Sequence, residues 1–178
     1  ELKTLRKFKS YLNAPFGRIQ KWKQCLGTSS KRRIGLAWAG NPHQAHDFTR
    51  SIPPHMLEPL FEVPETEFHG LLVGKQFNKV TNKLNFIDHS KQIIDFADTA
   101  ALISLMDINI SVCSAPAHLA GALGMPVWIA LSYDPDCRWL LDHQKTPWYS
   151  SAKLFRQDSP GNWQSVIDEF LILLNRHI

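Results

Sequence analysis

The sequence has few cysteines, no long apolar run and no strong excess of charge of either sign. Its three cysteines, Cys25, Cys113 and Cys137, lie far apart and form no CxxC pair. This argues against a disulfide framework or a zinc site and predicts reduced thiols in a cytoplasmic protein. Apolar runs such as residues 127–131 are far shorter than the roughly 20 residues that cross a bilayer, so no transmembrane segment is expected.

The remaining composition is that of an ordinary globular protein. The 178 residues are 44% hydrophobic and 20% charged, and a chain of this length buries roughly 70% of its unfolded surface in one core. The net charge of +4 is too small to predict nucleic-acid binding. Basic residues are concentrated before the first apolar run, so we expect a basic helical segment or linker at residues 1–30 and one domain at 31–178.

Apolar runs alternate with amphipathic segments from residue 33 onward. The runs predict strands at residues 33–38, 67–73, 84–87, 108–113, 127–131 and 153–156. The segments between and after them predict helices at residues 56–63, 98–106, 116–123 and 163–178. This order predicts an α/β fold, with a single Rossmann-like parallel sheet and helices on both faces. Such sheets bind ligands where the carboxyl ends of the strands meet at a topological switch point.

The loop after the strand at 108–113 is the first candidate site. Small residues from Cys113 to Ala117 lead into a helix, whose free N–H groups and partial positive charge suit a phosphate. His118 lies about one turn into this helix and is placed to donate to a phosphate oxygen or a ribose. The same residues also suit close helix packing around a satisfied, partly buried histidine, and spacing alone leaves both interpretations open.

The loop after the first strand is the second candidate. Gly40 and Asn41 suit the special backbone angles of such a loop. Arg50 is able to hold a phosphate through two parallel contacts, or to form an ion pair with Asp47. The loop has neither a GxGxxG fingerprint nor a P-loop, which argues against an NAD-linked oxidoreductase.

Two further groups of residues are weaker candidates. His43, His46 and Asp47 have a spacing that suits a metal, although no fourth ligand is evident and an ordinary loop explains them better. Asp134 and Asp136 flank Pro135, where a catalytic carboxylate or a simple turn is possible.

Several segments together carry a resemblance to a known family. They are RIGLAWAGNP at 33–42, RSI at 50–52, DFADTAALI at 95–103, HLAGALGMPVW at 118–128, RWLL at 138–141, PWY at 147–149 and LFRQ at 154–157. In these segments the chain resembles the glycosyltransferase-like region that follows tetratricopeptide repeats in many bacterial proteins. That region is similar to the C-terminal half of the heptosyltransferases, which have the GT-B fold. The resemblance covers about residues 11–175.

The resemblance implies a lobe that holds the nucleotide of a sugar donor. The base and ribose would lie near Lys75 and Gln76 and near the start of a helix, at Asp98 and Thr99. The diphosphate would meet Ser114, Ala115 and the helix that carries His118. The first loop would close the donor site through Gly40, Asn41 and Arg50. The nucleotide sugar is the substrate, and no metal or other cofactor is expected.

The chain departs from the family pattern at one position and in its length. The family usually has Asp-Thr where this chain has Cys113 and Ser114, so the donor site loses a carboxylate. In GT-B enzymes an acceptor lobe precedes this one, and about thirty residues before the first strand are too few to build it. We therefore expect an upstream acceptor lobe or repeats as partners and assign no catalytic base. The alternative is a non-catalytic module of the same fold that binds a protein partner.

Overall fold

The computed structural model describes residues 10–45, 47–73, 85–140 and 144–176. Its α-helices are α1 (Phe16–Leu26), α2 (Asp47–Arg50), α3 (Phe96–Ile103), α4 (Ala115–Leu123) and α5 (Trp163–Asn175). Its strands are β1 (Arg32–Ala37), β2 (Thr66–Gly70), β3 (Phe86–Ile87), β4 (Ile108–Val112), β5 (Val127–Leu131) and β6 (Ala152–Arg156). Two 3₁₀ helices span Pro54–Glu62 and Cys137–Trp139.

The six described strands form one parallel sheet in the order β3-β2-β1-β4-β5-β6. This confirms the predicted single Rossmann-like sheet. Strand β1 lies in the middle, where Leu36 is in register with Gly70 of β2 on one side and Ile110 of β4 on the other. The strands that follow β1 in the chain, β2 and β3, lie on one side of it, and β4 lies on its other side. The connections that leave β1 and β4 therefore run in opposite directions along the sheet and leave a crevice between them.

Most predicted elements lie within a few residues of their observed bounds, with two exceptions. The predicted helix at 56–63 is the 3₁₀ helix Pro54–Glu62. Pro59 lies in its interior, and a proline ring there clashes with the carbonyl four residues earlier in an α-helix. Helical structure was also predicted before Pro15, but residues 10–15 have no helix, and residues 1–9 lie outside the described residues.

Helix α1 packs into the body of the protein. Its Trp22 is 1% exposed and belongs to the same hydrophobic core as the strands. The Trp22 indole N–H donates to the carboxylate of Asp98 on α3 at 3.0 Å, which joins the two helices. The predicted division at residue 30 stays a prediction, and Trp22 contributes to the packing of the sheet domain.

Candidate functional site

A cleft of about 1170 Å³ lies at the carboxyl edge of the sheet. Its walls come from the loops after β1, β4, β5 and β6, and from Trp163 at the start of α5. The cleft therefore lies over the crevice between the loops that follow β1 and β4. Of the residues predicted to bind a ligand, it brings together Arg50, Ser114, Ala115 and His118.

Arg50 connects the two loops that border the crevice. Its Nε donates to Asp47 Oδ1 at 2.9 Å, and its Nη1 donates to the Cys113 carbonyl at 3.2 Å. The ion pair with Asp47 predicted as one alternative is therefore present, and the guanidinium also lines the cleft. Asp47 in turn accepts from the Ser51 hydroxyl at 2.9 Å, and that hydroxyl accepts from the Gly40 N–H at 3.1 Å.

Gly40 is required for space, and the predicted reason, a special backbone angle, is wrong. Its φ lies outside the left-handed region, where the described glycines are Gly27, Gly124 and Gly161. A Cβ on Gly40 would instead collide with Asp47 Oδ1 and with the Arg50 guanidinium.

Asn41 has a local role in the same loop. Its side chain accepts from the His43 N–H at 3.0 Å, and its carbonyl accepts from the Gln44 N–H at 3.0 Å. These contacts form a turn, so the Asn41 side chain shapes the loop that precedes α2.

The N-terminus of α4 opens into the cleft without a side-chain cap. Ser114 is the N-cap residue, with an extended backbone, but its hydroxyl shares a hydrogen bond with Ser111 at 3.2 Å and makes no capping bond. Ser114 and Ala115 both line the cleft. The partial positive charge of this nine-residue helix therefore faces the cleft without a capping side chain.

His118 is held by two hydrogen-bond partners, and its ring stacks on the ring of Trp139 with 5.2 Å between the centroids. Its Nδ1 lies 3.0 Å from the Tyr149 hydroxyl, and its Nε2 lies 3.4 Å from Arg138 Nη1. Because arginine only donates, Nε2 is an acceptor and Nδ1 carries the proton. Burial, followed by the charge of Arg138, lowers the pKa of His118, which favours the neutral ring. In this arrangement Nε2 carries no proton, so the predicted donation from His118 to a phosphate or a ribose requires the ring to gain a proton or to change tautomer.

Asp98 and Thr99 lie outside the cleft. Asp98 is fully buried and forms ion pairs with Arg18 at 2.8 Å and Lys21 at 3.6 Å. Its Oδ2 also accepts from the Ile94 N–H at 3.2 Å, and the Thr99 hydroxyl donates to the Asp95 carbonyl at 3.3 Å. These contacts hold α1 against α3. A ligand role for the two residues stays a prediction, and Lys75 and Gln76 lie outside the described residues.

Two site features were not anticipated from the sequence. Asp136 holds Arg138 through two contacts, Nε to Oδ1 at 2.7 Å and Nη2 to Oδ2 at 2.9 Å. Gln157 is 4% exposed, and its Oε1 accepts from the Tyr133 N–H at 3.0 Å and the Gly161 N–H at 3.1 Å, so it ties together the loops after β5 and β6. Gln157 directly follows the last strand, and this position in the sequence could have identified it as a residue at the ligand-binding edge of the sheet.

The weaker candidates have structural partners. Asp47 and Asp136 are each paired with an arginine, and His46 lies outside the described residues. Within the described ranges no group of three or more His, Cys, Asp or Glu side chains is arranged to hold a metal ion.

No helix in the described part of the chain has both the length and the apolar character needed to cross a membrane.

Comparison with known proteins places the fold. No protein-family model matches the chain. Protein FlbA of Caulobacter vibrioides is 26% identical over 169 residues, a match that covers 87% of this chain and 27% of FlbA. The solved structure of Escherichia coli ADP-heptose lps heptosyltransferase II matches with a TM-score of 0.64 and 13% identity, over 93% of this chain and 54% of that one. The crystal structure of a glycosyl transferase family 9 protein from Veillonella parvula matches with a TM-score of 0.65 and 12% identity, over 96% of this chain and 55% of that one.

These matches agree with the sheet topology. The chain spans about half the length of the solved glycosyltransferases and about a quarter of FlbA. The predicted association with tetratricopeptide repeats stays a prediction. The described chain has the Rossmann-like fold of one lobe of the family 9 glycosyltransferases.

Proposed function

We propose that this chain is the donor-binding lobe of a glycosyltransferase and holds the nucleoside diphosphate of a nucleotide sugar in the cleft. The observation that carries the proposal is the meeting of the uncapped N-terminus of α4 with the guanidinium of Arg50 in one cavity. A helix N-terminus and an arginine are the two devices by which proteins most often hold phosphate oxygens.

The positive charge that Arg50 brings to the cleft is partly offset and is held in place. Asp47 offsets part of the Arg50 charge, since the two side chains lie 2.9 Å apart. The guanidinium keeps a fixed orientation, because its Nη1 is bound to the Cys113 carbonyl next to Ser114. An anion that bridges Ala115 and Arg50 would accept from the N–H groups at the start of α4 and from the guanidinium. Donors that are already in place stabilise a departing diphosphate without reorganisation of the site.

The lobe would contribute positioning and leaving-group stabilisation, and no catalytic base is assigned to it. The acceptor and its base would belong to a preceding lobe, as the family resemblance implies, and this chain covers 54% and 55% of the two solved glycosyltransferases. Lys75 and Gln76 remain proposed contacts for the base and ribose. The family's carboxylate is replaced by Cys113, so the sugar donor would be held without that charge.

Isothermal calorimetry with ADP, UDP and GDP and their glucose or mannose conjugates tests the proposal. We expect one nucleotide to bind selectively, and Arg50→Ala to weaken its binding by about 10- to 100-fold, the value of a charge-assisted hydrogen bond. Arg176→Ala is the matched control, because Arg176 is an exposed arginine at the end of α5 and does not line the cleft. No binding of any of the three at millimolar concentration would refute the proposal.

A non-catalytic module that binds a protein partner is the second candidate. It is favoured by large exposed aromatic side chains at the cleft, Phe48 at 77% and Tyr133 at 53% exposed, and by the missing carboxylate at position 113. A folded chain that binds no nucleotide would favour this alternative.

A further inference from the structure

A second cavity, of about 580 Å³, lies beside the cleft. Its walls are mainly aromatic and come from Tyr11, Trp148 and Tyr149. His118 and Arg138 complete it, and both also line the large cleft. The two cavities therefore lie side by side and share a wall.

The aromatic rings of this pocket are fixed before any ligand arrives. The Trp148 indole N–H donates to the Arg138 carbonyl at 2.7 Å. The Tyr149 ring packs directly over Gly121 of α4, where an added Cβ would collide with it. The Tyr11 backbone N–H donates to the Ala122 carbonyl at 2.9 Å, and the Tyr11 side chain is hydrogen-bonded to Tyr149. Rings held in this way bind a flat ligand face with little loss of conformational entropy.

A chain of hydrogen bonds through Tyr149 and His118 makes His118 Nε2 a hydrogen-bond acceptor at the wall of the pocket. Burial and a hydrogen bond to Tyr11 raise the pKa of Tyr149 to about 12, so its hydroxyl stays protonated. That hydroxyl lies 3.0 Å from His118 Nδ1, which carries the ring proton. His118 Nε2 accepts from Arg138 Nη1 at a long distance of 3.4 Å, so a ligand hydroxyl that donates to Nε2 would take the place of this contact.

The pocket favours an uncharged ligand. Arg138 is held by Asp136 through two hydrogen bonds, so the positive charge at the rim is largely offset. An acidic ligand would gain little from a paired guanidinium and would meet mostly apolar walls. A hydroxyl group, by contrast, is able to donate to His118 Nε2.

We propose that the aromatic pocket binds an uncharged pyranose ring, whose apolar face lies against the ring of Trp148 and one of whose hydroxyls donates to His118. This inference rests on the proposed function, because the ring would be the sugar attached to the diphosphate in the cleft. His118 lies one turn from Ser114 and Ala115, where the diphosphate is placed. The shared wall therefore leads from the phosphate donors to the aromatic rings.

Saturation-transfer NMR with methyl α-glucoside, α-mannoside and α-galactoside tests the pocket without a nucleotide. We expect saturation of the ring protons of at least one glycoside by the unaltered chain and by Trp148→Phe, and loss of that signal in Trp148→Ala. Phe96→Ala is the control, since Phe96 is an exposed aromatic that lines neither cavity. Thermal melts of each variant establish that it is folded.

Calorimetry separates this inference from the proposed function. The sugar should tighten binding over the free diphosphate by about 3- to 10-fold, as expected for one aromatic stacking contact, and Trp148→Ala should remove only this gain. A sugar that adds nothing, with no glycoside signal, overturns the pocket inference while diphosphate binding stands. An equal loss of diphosphate affinity in Trp148→Ala would mean that the pocket holds the nucleobase, which also overturns it. Trp148-dependent glycoside signals without diphosphate binding would support the pocket and refute the donor cleft.

Discussion

Two glycines are required because a neighbouring side chain occupies the space that their Cβ atom would need. Gly40 was interpreted from the sequence as a loop glycine with a special backbone angle, yet Gly40 and Gly121 each leave room for one particular group. Gly40 admits the Asp47–Arg50 ion pair, and Gly121 admits the ring of Tyr149. These contacts join residues that are 7 to 28 positions apart, and for this reason local spacing did not reveal them.

Replacing Gly40 by alanine should weaken nucleotide binding. The added Cβ would push the Arg50 guanidinium out of its place between Asp47 and the Cys113 carbonyl. We expect a loss of affinity of about tenfold or more, comparable to a lost charge-assisted hydrogen bond. Calorimetry measures it against Gly17→Ala, an open position on α1. Unchanged affinity in Gly40→Ala would contradict the role given to Arg50.

At the scale of elements, α1 is fastened to α3 by a buried carboxylate. Asp98 accepts from Trp22, Arg18 and the Ile94 N–H, and backbone hydrogen bonding and these side chains lower its pKa despite its burial. Asp95 is the N-cap residue of α3, and its Oδ1 accepts from the Asp98 N–H at 2.9 Å.

Replacing Asp98 by asparagine should destabilise the protein. The change removes the charge that Arg18 and Lys21 approach, and it places an amide where a carboxylate accepts several donors. We expect a decrease of about 1 to 3 kcal/mol in the free energy of unfolding, because the partly exposed cations recover water. Urea denaturation measures this, with the exposed Glu169→Gln on α5 as the control. Equal stability of the two variants would contradict the account of α1.

The elements could be predicted from the sequence, while the site could be predicted only in part. Buried parallel strands are continuous apolar runs, so β5 was predicted with its observed bounds, Val127–Leu131. The loops after strands β1 and β4 followed from the fold class. The contacts of His118 with Tyr149 and Arg138 depend on how the loop after β5 folds back over α4, and no local pattern encodes that path.

At the scale of the whole molecule, stability should depend on pH through a buried histidine pair. His69 on β2 is 1% exposed, and its Nδ1 lies 3.0 Å from His89 Nε2. Burial, followed by the charge of His89, lowers the pKa of His69 to about 4. Burial also lowers the pKa of His89.

The free energy of unfolding should fall as the pH is lowered from about 6.5 to about 4. In this range the unfolded chain protonates His69 and the folded chain does not, so this residue removes up to about 3 kcal/mol. Above pH 6.5 both states are neutral and the contribution vanishes. Urea titrations at several pH values should show a shallower slope for His69→Asn than for His55→Gln, an exposed histidine. Identical slopes would contradict the neutral buried pair.

The most direct test of the donor cleft is to map a nucleotide onto the chain by ¹H–¹⁵N NMR. On titration with ADP, UDP and GDP, we predict that one of them shifts the amides of Ser51, Ser114, Ala115 and His118, which line the cleft. The amide of Trp22, on the far contact between α1 and α3, should not move. Shifts confined to α1 and α3, or no shifts at millimolar nucleotide, would contradict a donor site at the N-terminus of α4.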